Sequence, residues 1–107
     1  MKRLPVRWTA PASGDLIEIL EFIGADRPAA ARDLGREILR QSKTLAQSSL
    51  RGRIVPELSQ QGITDCREIL VSRYRIIYRV HSEAVRIAAV IDTARDLGEA
   101  LLRRLLR

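Results

Sequence analysis

The sequence predicts an α+β fold, in which an antiparallel sheet packs against an N-terminal helix hairpin and the element order is β-α-α-β-β-β-α. Two segments near the N-terminus repeat apolar residues with helical spacing and are separated by a short break at Pro28. Three later segments alternate in polarity and are rich in β-branched and aromatic residues, which is typical of paired strands. The chain of 107 residues is predicted to be a single domain over residues 1–107.

The first strand is predicted at residues 6–9, and Thr9 is a suitable N-cap for the helix that follows. Pro11 fits the first turn of this helix, where its missing N–H is not needed. The core-facing side of the helix is predicted from its apolar residues, which are Ala12, Leu16, Ile19, Leu20 and Ile23. Gly24 and the break at residues 26–28 are expected to end the helix.

The second helix is predicted to begin at Pro28, which is tolerated in a first turn. Its buried stripe is expected to consist of Ala30, Leu34, Ile38 and Leu45. The opposite side carries basic residues that we expect to be solvated, namely Arg32, Arg36, Arg40 and Lys43. Because so few residues join the two helices, they are predicted to form an antiparallel hairpin.

Residues 48–65 lose the helical period and contain Gly52, Pro56 and Gly62, so they are predicted to form a loop. A short extended piece is expected within it, at residues 53–58. At the other end of the chain, residues 95–106 return to helical spacing. The leucines of this last helix that are expected to be buried are Leu97, Leu101 and Leu105.

The strands between these segments are predicted at residues 67–71, 74–80 and 85–91, with short turns at 72–73 and 81–84. One side of the middle strand carries Tyr74, Ile76, Tyr78 and Val80, and the other side carries Arg75, Ile77 and Arg79. The tyrosines are expected to pack in the core. Since the helix hairpin covers only one face, the other face is expected to be partly open and to carry arginines, and function is expected there.

The composition excludes several classes of site. Lys2 and Lys43 are the only lysines among 19 basic residues, and the formal charge is +6, which suits an anionic partner. Because Cys66 and His81 are each the only residue of their type, neither a disulfide framework nor a Cys or multi-His metal site is predicted. No cofactor motif is present, and no apolar run approaches the length of a membrane span. A soluble cytoplasmic domain without cofactor, metal or membrane partner is therefore expected.

The evidence for catalysis in the residues themselves is thin. Cys66 is expected to be a structural residue at the start of a strand, and His81 a solvated residue in a turn. An acid–base ribonuclease could use Glu57 or Glu68 as its base, but no acid is identifiable. Arg75 and Arg79 would lie about 13 Å apart on one strand face, a distance that suits two phosphates, two acidic side chains or simple solvation.

The chain resembles the RelE/ParE toxin superfamily. The resemblance lies in residues 66–80, 85–87 and 94–97, and less specifically in residues 9–19 and 52–58; its most specific part is RYRIIYRV. It implies the family fold and the toxin role in a bacterial type II toxin–antitoxin pair. It also implies a cognate antitoxin with an acidic C-terminal segment, through which alone the toxin would contact operator DNA.

The superfamily divides by target, and departures from the RelE pattern favour the ParE side. RelE-like members cut mRNA in the ribosomal A site with basic residues on the sheet and a C-terminal tyrosine, whereas ParE-like members inhibit DNA gyrase. Arg75 matches the RelE-like core arginine, and Arg95 matches a second near the last strand. However, Glu68 and Leu70 stand where lysines are expected, and Leu101 or Leu102 stands where the tyrosine is expected.

The resemblance therefore predicts a gyrase inhibitor. One alternative is a ribosome-dependent mRNA interferase that uses Arg75, Arg79 and Arg95 with Glu57 or Glu68. The other is a decayed toxin that is retained as an antitoxin-binding module. The surfaces expected to contact target or antitoxin are the arginine-bearing sheet and the last helix, through Arg67, Arg73, Arg75, Arg79, Arg86, Arg95, Leu102, Arg103, Arg104 and Leu106. The exposed apolar residues of the helix hairpin are further candidates for the antitoxin.

Overall fold

The computed structural model describes residues 3–106 and has the predicted α+β architecture. In chain order the elements are β1 (Val6–Trp8), α1 (Ala10–Asp26), α2 (Pro28–Lys43), β2 (Arg53–Ile54), α3 (Pro56–Ser59), β3 (Cys66–Val71), β4 (Tyr74–Val80), β5 (Val85–Asp92) and α4 (Glu99–Leu105). The strands form one sheet in the order β1-β5-β4-β3-β2. β1 runs parallel to β5, and all other neighbours are antiparallel.

The start of α1 is capped as predicted. The Thr9 hydroxyl accepts a hydrogen bond from the Ala12 N–H and donates one to the Ile87 carbonyl, so the cap also ties the helix to the sheet. Pro11 lies in the first turn. The helix continues through Gly24 to Asp26 and ends at the predicted break of residues 26–28. The break comes at Arg27, just before Pro28, since a residue that precedes proline disfavours the helical conformation.

The helix hairpin covers one face of the sheet, which is called the hairpin face below. Ala12 and Leu16 of α1 and Ile38 of α2 are buried there. They pack with alternate strand residues, among them Ile69, Val71, Tyr74, Ile76, Tyr78, Val85, Ile87 and Val90. The predicted core role of both tyrosines is confirmed, and so is the parity of β4. Leu45 is buried as well, but it lies in a 3₁₀ turn that follows α2.

The opposite face is partly open, as predicted, with Arg7, Leu70 and Arg86 exposed on it, but less of it is open than expected. A second apolar core covers the rest of it and includes Val55, Leu58, Cys66, Ile77, Ala89, Ile91, Leu97 and Leu105. Val55 and Leu58 come from the segment around α3, whereas Leu97 and Leu105 come from the C-terminal segment and α4. Two short segments remote in sequence thus fold onto this face, and neither carries enough apolar pattern to predict its destination.

The segment between Ser48 and Asp65 is more ordered than predicted. The expected extended piece is β2, which pairs with β3 and spans only Arg53–Ile54. Immediately after it, α3 forms a single helical turn with Pro56 at its start. A helix of four residues leaves no periodic signature, and tertiary packing stabilises it rather than helix propensity.

The three long strands and their turns are confirmed within one residue at each end. Ser72, in the turn between β3 and β4, has a φ of 56°, which is uncommon for a residue other than glycine. A register shift between Ile77 and Tyr78 brings Ala89 opposite the first and Ile87 opposite the second. Ala88 is therefore the extra residue of a β-bulge.

The last helix begins later than predicted. Residues 93–95 form a turn, in which the Asp92 carboxylate accepts a hydrogen bond from the Ala94 N–H. Gly98 is extended at the N-cap position, so α4 starts only at Glu99. Leu97 and Leu105 are buried as predicted, while Leu101 is half-buried. Arg107 lies outside the described residues. Among residues 3–106, no helix is long and apolar enough to cross a membrane.

Candidate functional site

Arg75 is the centre of a buried ion-pair network on the face opposite the helix hairpin. Its Nε donates to Glu68 on β3 at 2.6 Å, and its two terminal nitrogens donate to the Glu57 carboxylate on α3 at 2.6 and 2.7 Å. The second Glu68 oxygen accepts a hydrogen bond from Arg53 Nε at 2.6 Å. The strand register explains why these side chains meet. Glu68 is opposite Ile77, which is two residues from Arg75 on the same face of β4, and it is directly opposite Arg53 on β2.

The network is electrically balanced and closed to solvent at its centre. The side chains of Arg75 and Glu68 are 8% and 0% exposed. The hydrogen bond from Arg75 holds the pKa of Glu57 below its ordinary value, against the opposing effect of its partial burial. The same bond to Glu57 raises the pKa of Arg75, so this guanidinium stays charged at every accessible pH. Two carboxylates therefore occupy the donors that could otherwise hold a phosphate.

The strand arginines predicted to share one surface do so only in part, because Arg75, Arg79 and Arg86 lie on the face opposite the helix hairpin and Arg67 does not. Arg67 is opposite Tyr78 in the register and therefore lies on the hairpin face, where its guanidinium donates to the Gly52 and Leu50 carbonyls. Arg79 is on the same side of β4 as Arg75, as predicted, but it pairs with Asp65 at 3.1 Å. It also donates to the Leu105 carbonyl.

Of the five remaining candidate arginines, Arg86 is exposed on β5, and three of the other four are paired. Arg73, in the turn before β4, pairs with Asp92 at the end of β5. Arg103 pairs with Glu99 one turn earlier in α4. Arg104 pairs with Asp15 at 2.8 Å, and the same carboxylate accepts the Val90 N–H at 3.0 Å. Arg95 is exposed in the turn before α4. Asp15 thus links α1, β5 and α4.

An anchor for the loop before β2 lies on the hairpin face. The Tyr78 hydroxyl donates to the Ser49 carbonyl at 2.8 Å and accepts the Gly52 N–H at 3.0 Å. A Cβ at Gly52 would lie 2.5 Å from the Tyr78 oxygen, so only glycine allows this close approach. Burial raises the pKa of Tyr78.

Of the residues considered for nucleophilic or acid–base chemistry, Cys66 lies in the core and His81 in an exposed turn. Cys66 is buried at the start of β3, and burial raises the pKa of its thiol to about 11. A thiol of that kind is inert at neutral pH. His81 is exposed in the turn after β4. Within residues 3–106, no three His, Cys, Asp or Glu side chains are grouped as metal ligands.

An open groove of about 760 Å³ lies between the helix hairpin, the start of β4 and the end of β5. Apolar lining comes from Ile19, Phe22, Ile23, Leu34, Tyr74 and Val90, and charged residues such as Arg27, Arg73 and Asp92 surround it. Phe22 is 75% exposed, which is unusual for so large an apolar side chain. The groove is therefore a candidate docking surface for an amphipathic segment.

A family model for the ParE toxin of the type II toxin–antitoxin system, parDE, matches residues 6–97. This span contains all five strands and the Arg75 network. The chain belongs to the ParE toxin family. Among solved structures, this ParE-family chain is similar to a chain of the chromosomal ParDE toxin–antitoxin system from P. aeruginosa. The TM-score is 0.70 at 20% identity, over 86% of this chain and 98% of that chain. No curated protein matches the sequence significantly.

The structural likeness confirms the predicted RelE/ParE-like fold, and the family match confirms the toxin assignment. As the toxin of a type II toxin–antitoxin system, this ParE-family chain has a cognate antitoxin as its partner. Sequence reasoning missed Arg53 as the fourth member of the Arg75 network and Asp15 as the residue that links three elements. Neither is recognisable from local spacing, because both partners of each pair are distant in the chain.

The leucines of the last helix behave differently from one another. Leu106 is 51% exposed and Leu102 is half-buried against the second core. On β3, Leu70 is 58% exposed beside Arg75, its partner in the register. The exposed apolar surface of this ParE-family chain thus includes Leu70 and Leu106, outside the groove between hairpin and sheet.

Proposed function

We propose that this ParE-family toxin arrests growth by inhibiting DNA gyrase and is neutralised by binding its cognate antitoxin. The observation that carries the proposal is the closed pairing of Arg75 with Glu57 and Glu68. An mRNA interferase needs cations free to hold the scissile phosphate and stabilise its developing charge. In this chain the arginine that matches the interferase core is already neutralised by two carboxylates.

The surroundings of Arg75 suit a protein target better than RNA. Leu70 is 58% exposed where interferases carry a lysine, and an exposed leucine gains more from contact with apolar protein surface than with phosphate. Leu101 and Leu102 are half-buried in the region of the missing tyrosine. Neither leucine can transfer a proton or stack on a base as a tyrosine does.

The proposed gyrase contact consists of α4 and the turn before it. Leu106, which directly follows α4, is 51% exposed. Arg103 within α4 and Arg95 in the turn before it are also exposed. Arginines are enriched among the residues that contribute most to protein interfaces, and an exposed leucine gains free energy when it is buried against an apolar partner surface. Since gyrase acts on chromosomal DNA, we place the toxin in the cytoplasm.

The proposed antitoxin contact is the groove between the helix hairpin and the sheet. Its apolar lining suits the apolar side of an amphipathic segment. Arg27 and Arg95 can pair with acidic side chains of that segment, whereas Arg73 already pairs with Asp92. Sequence-specific contact with operator DNA is assigned to the antitoxin.

The proposal is tested with purified toxin in two assays. Gyrase supercoiling of plasmid DNA should be inhibited, whereas mRNA bound in the ribosomal A site should stay intact. The reverse result would favour the interferase and overturn the proposal. No effect in either assay, together with normal growth on induced expression, would indicate a decayed toxin that only binds antitoxin.

A pair of matched variants tests the role of α4. Leu106→Asp should weaken gyrase inhibition about tenfold or more, because a charge replaces an apolar anchor at the interface. Leu39→Asp is the control, since Leu39 is also an exposed helical leucine but lies on α2. Equal loss in both variants would contradict the assignment of α4, as would inhibition unchanged in Leu106→Asp.

A further inference from the structure

A row of three arginines crosses one end of the sheet. The strand register places Arg7 of β1 opposite Arg86 of β5, and Arg86 opposite Arg79 of β4. Register partners leave the sheet on the same side, and adjacent strands lie about 4.8 Å apart. The three side chains therefore leave the face opposite the helix hairpin along a line about 10 Å long.

Little in the described chain neutralises this row. Arg79 pairs with Asp65 at 3.1 Å and donates to the Leu105 carbonyl. In contrast, Arg7 and Arg86 are exposed and form no ion pair with any of residues 3–106. Like charges directly opposite one another on neighbouring strands destabilise a sheet. An anionic partner would relieve this repulsion.

The surroundings of the row favour a phosphate backbone over an acidic protein segment. Stable protein interfaces have a centre of large apolar side chains. Of the large apolar residues that are exposed among residues 3–106, only Leu106 lies near this end of the sheet, next to the carbonyl that Arg79 contacts. The others lie on the helix hairpin, at the β2 edge or at the opposite end of β3: Ile17, Phe22, Leu39, Leu50, Ile54 and Leu70.

We infer that Arg7, Arg86 and Arg79 form a contact site for the phosphate backbone of duplex DNA. Each guanidinium offers donors in a planar fork that matches phosphate oxygens, and the chain's charge of +6 adds long-range attraction. The choice of DNA over RNA rests on the proposed function, in which the target is an enzyme bound to DNA. The contact is independent of sequence, so it does not replace operator recognition by the antitoxin.

The test measures the affinity of the purified full chain for a short fluorescent DNA duplex at several salt concentrations. The double variant R7Q/R86Q should bind about tenfold more weakly or worse. The slope of log affinity against log salt should fall by about 2, because each lost phosphate contact removes about 0.9. The control is R32Q/R36Q, which removes two exposed arginines one turn apart on α2 and should leave both quantities nearly unchanged.

Three results would overturn the inference: equal weakening in both double variants, tighter binding to an RNA duplex, or binding to polyglutamate without binding to DNA. The single variant Arg86→Gln adds a stability readout. Since it removes the central charge of the row, it should unfold at the same or a higher temperature while binding DNA more weakly. A lower unfolding temperature would make Arg86 a structural residue and contradict the inference.

The DNA site and the gyrase proposal can fail separately, because the duplex assay contains no gyrase. A toxin that inhibits gyrase but does not bind the duplex contradicts the DNA site alone. A toxin that binds the duplex through the row but leaves gyrase active contradicts the proposed function, and with it the choice of DNA as the physiological anion.

Discussion

Arg75 and Glu68 pair side by side on β4 and β3, almost without access to water. Charges removed from water are stabilised only while each keeps its partner, because the desolvation cost of each ion is several kcal/mol. Glu57 and Arg53 complete the network from α3 and β2, with larger exposure. The network therefore ties α3 and β2 to the central pair on β3 and β4.

Breaking this network from one side should cost more than removing both central charges. Arg75→Met should lower the free energy of unfolding by about 3–5 kcal/mol, because Glu68 stays buried without its main partner. The double variant E68L/R75M should recover most of this loss, since two apolar side chains then replace the two ions. The measurement is a double-mutant cycle, in which urea denaturation is compared for the natural chain, Arg75→Met, Glu68→Leu and E68L/R75M. Losses that simply add would show that the two residues do not act as a pair.

The second tyrosine of RYRIIYRV, Tyr78, fixes the loop before β2 in place. Tyr78 holds both the Ser49 carbonyl and the Gly52 N–H, and Arg67 holds the Gly52 carbonyl. These contacts place β2 beside β3 and so bring Arg53 to Glu68. A strand of only two residues has its position set by such contacts, not by its own pairing.

Gly52→Ala should destabilise the fold by about 1–3 kcal/mol, because the new methyl group would overlap the Tyr78 oxygen and the Glu68 carbonyl, 2.5 and 2.6 Å from its carbon. Gly14→Ala is the matched control. Gly14 lies within α1 with no atom near its added methyl group, so this change should stabilise the helix by about 0.5–1 kcal/mol. Thermal unfolding of both variants measures the contrast. A loss of stability in both would mean that Gly52 has no special position.

At the scale of the molecule, short helices close the second face. α3 and α4 have four and seven residues, too few to be stable in isolation, yet they bring Leu58 and Leu105 to zero exposure. The sheet is therefore enclosed between two apolar cores. The surfaces that we propose for function therefore lie at the rims of these layers: the groove at the hairpin, the exposed side of α4 and the arginine row.

Acid should destabilise the whole molecule. Hydrogen bonds from Arg75 hold the pKa of Glu57 below its ordinary value of 4.5, and the Ala94 N–H holds the pKa of Asp92 below 3.8. The unfolded chain thus binds these protons at a higher pH than the folded chain does. The free energy of unfolding should fall as the pH drops below about 4.5 and through the lower folded-state values.

This effect is measured as the free energy of unfolding at a series of pH values, for the natural chain and for Glu57→Gln. In Glu57→Gln the decline should be shallower, because one of the two depressed carboxylates is gone. Parallel declines in the two proteins would mean that Glu57 contributes nothing to acid sensitivity.

The sequence by itself determined the helix hairpin, the three long strands and the two faces of β4. These depend on local periods of 3.6 and 2 residues, which burial against a neighbouring layer imposes directly on the sequence. The motif around RYRIIYRV likewise predicted the family, and the match over residues 6–97 confirmed it.

Only the tertiary structure decided which arginines are free. Arg75 and Arg86 look alike in the sequence, as basic residues within strands, yet one is enclosed by Glu57 and Glu68 and the other is exposed beside Arg7. The difference arises because α3 and β2 fold over one end of the sheet and leave part of the other uncovered. Whether a charged side chain is free to bind a partner depends on neighbours that are distant in the chain. Local sequence periodicity cannot predict those neighbours.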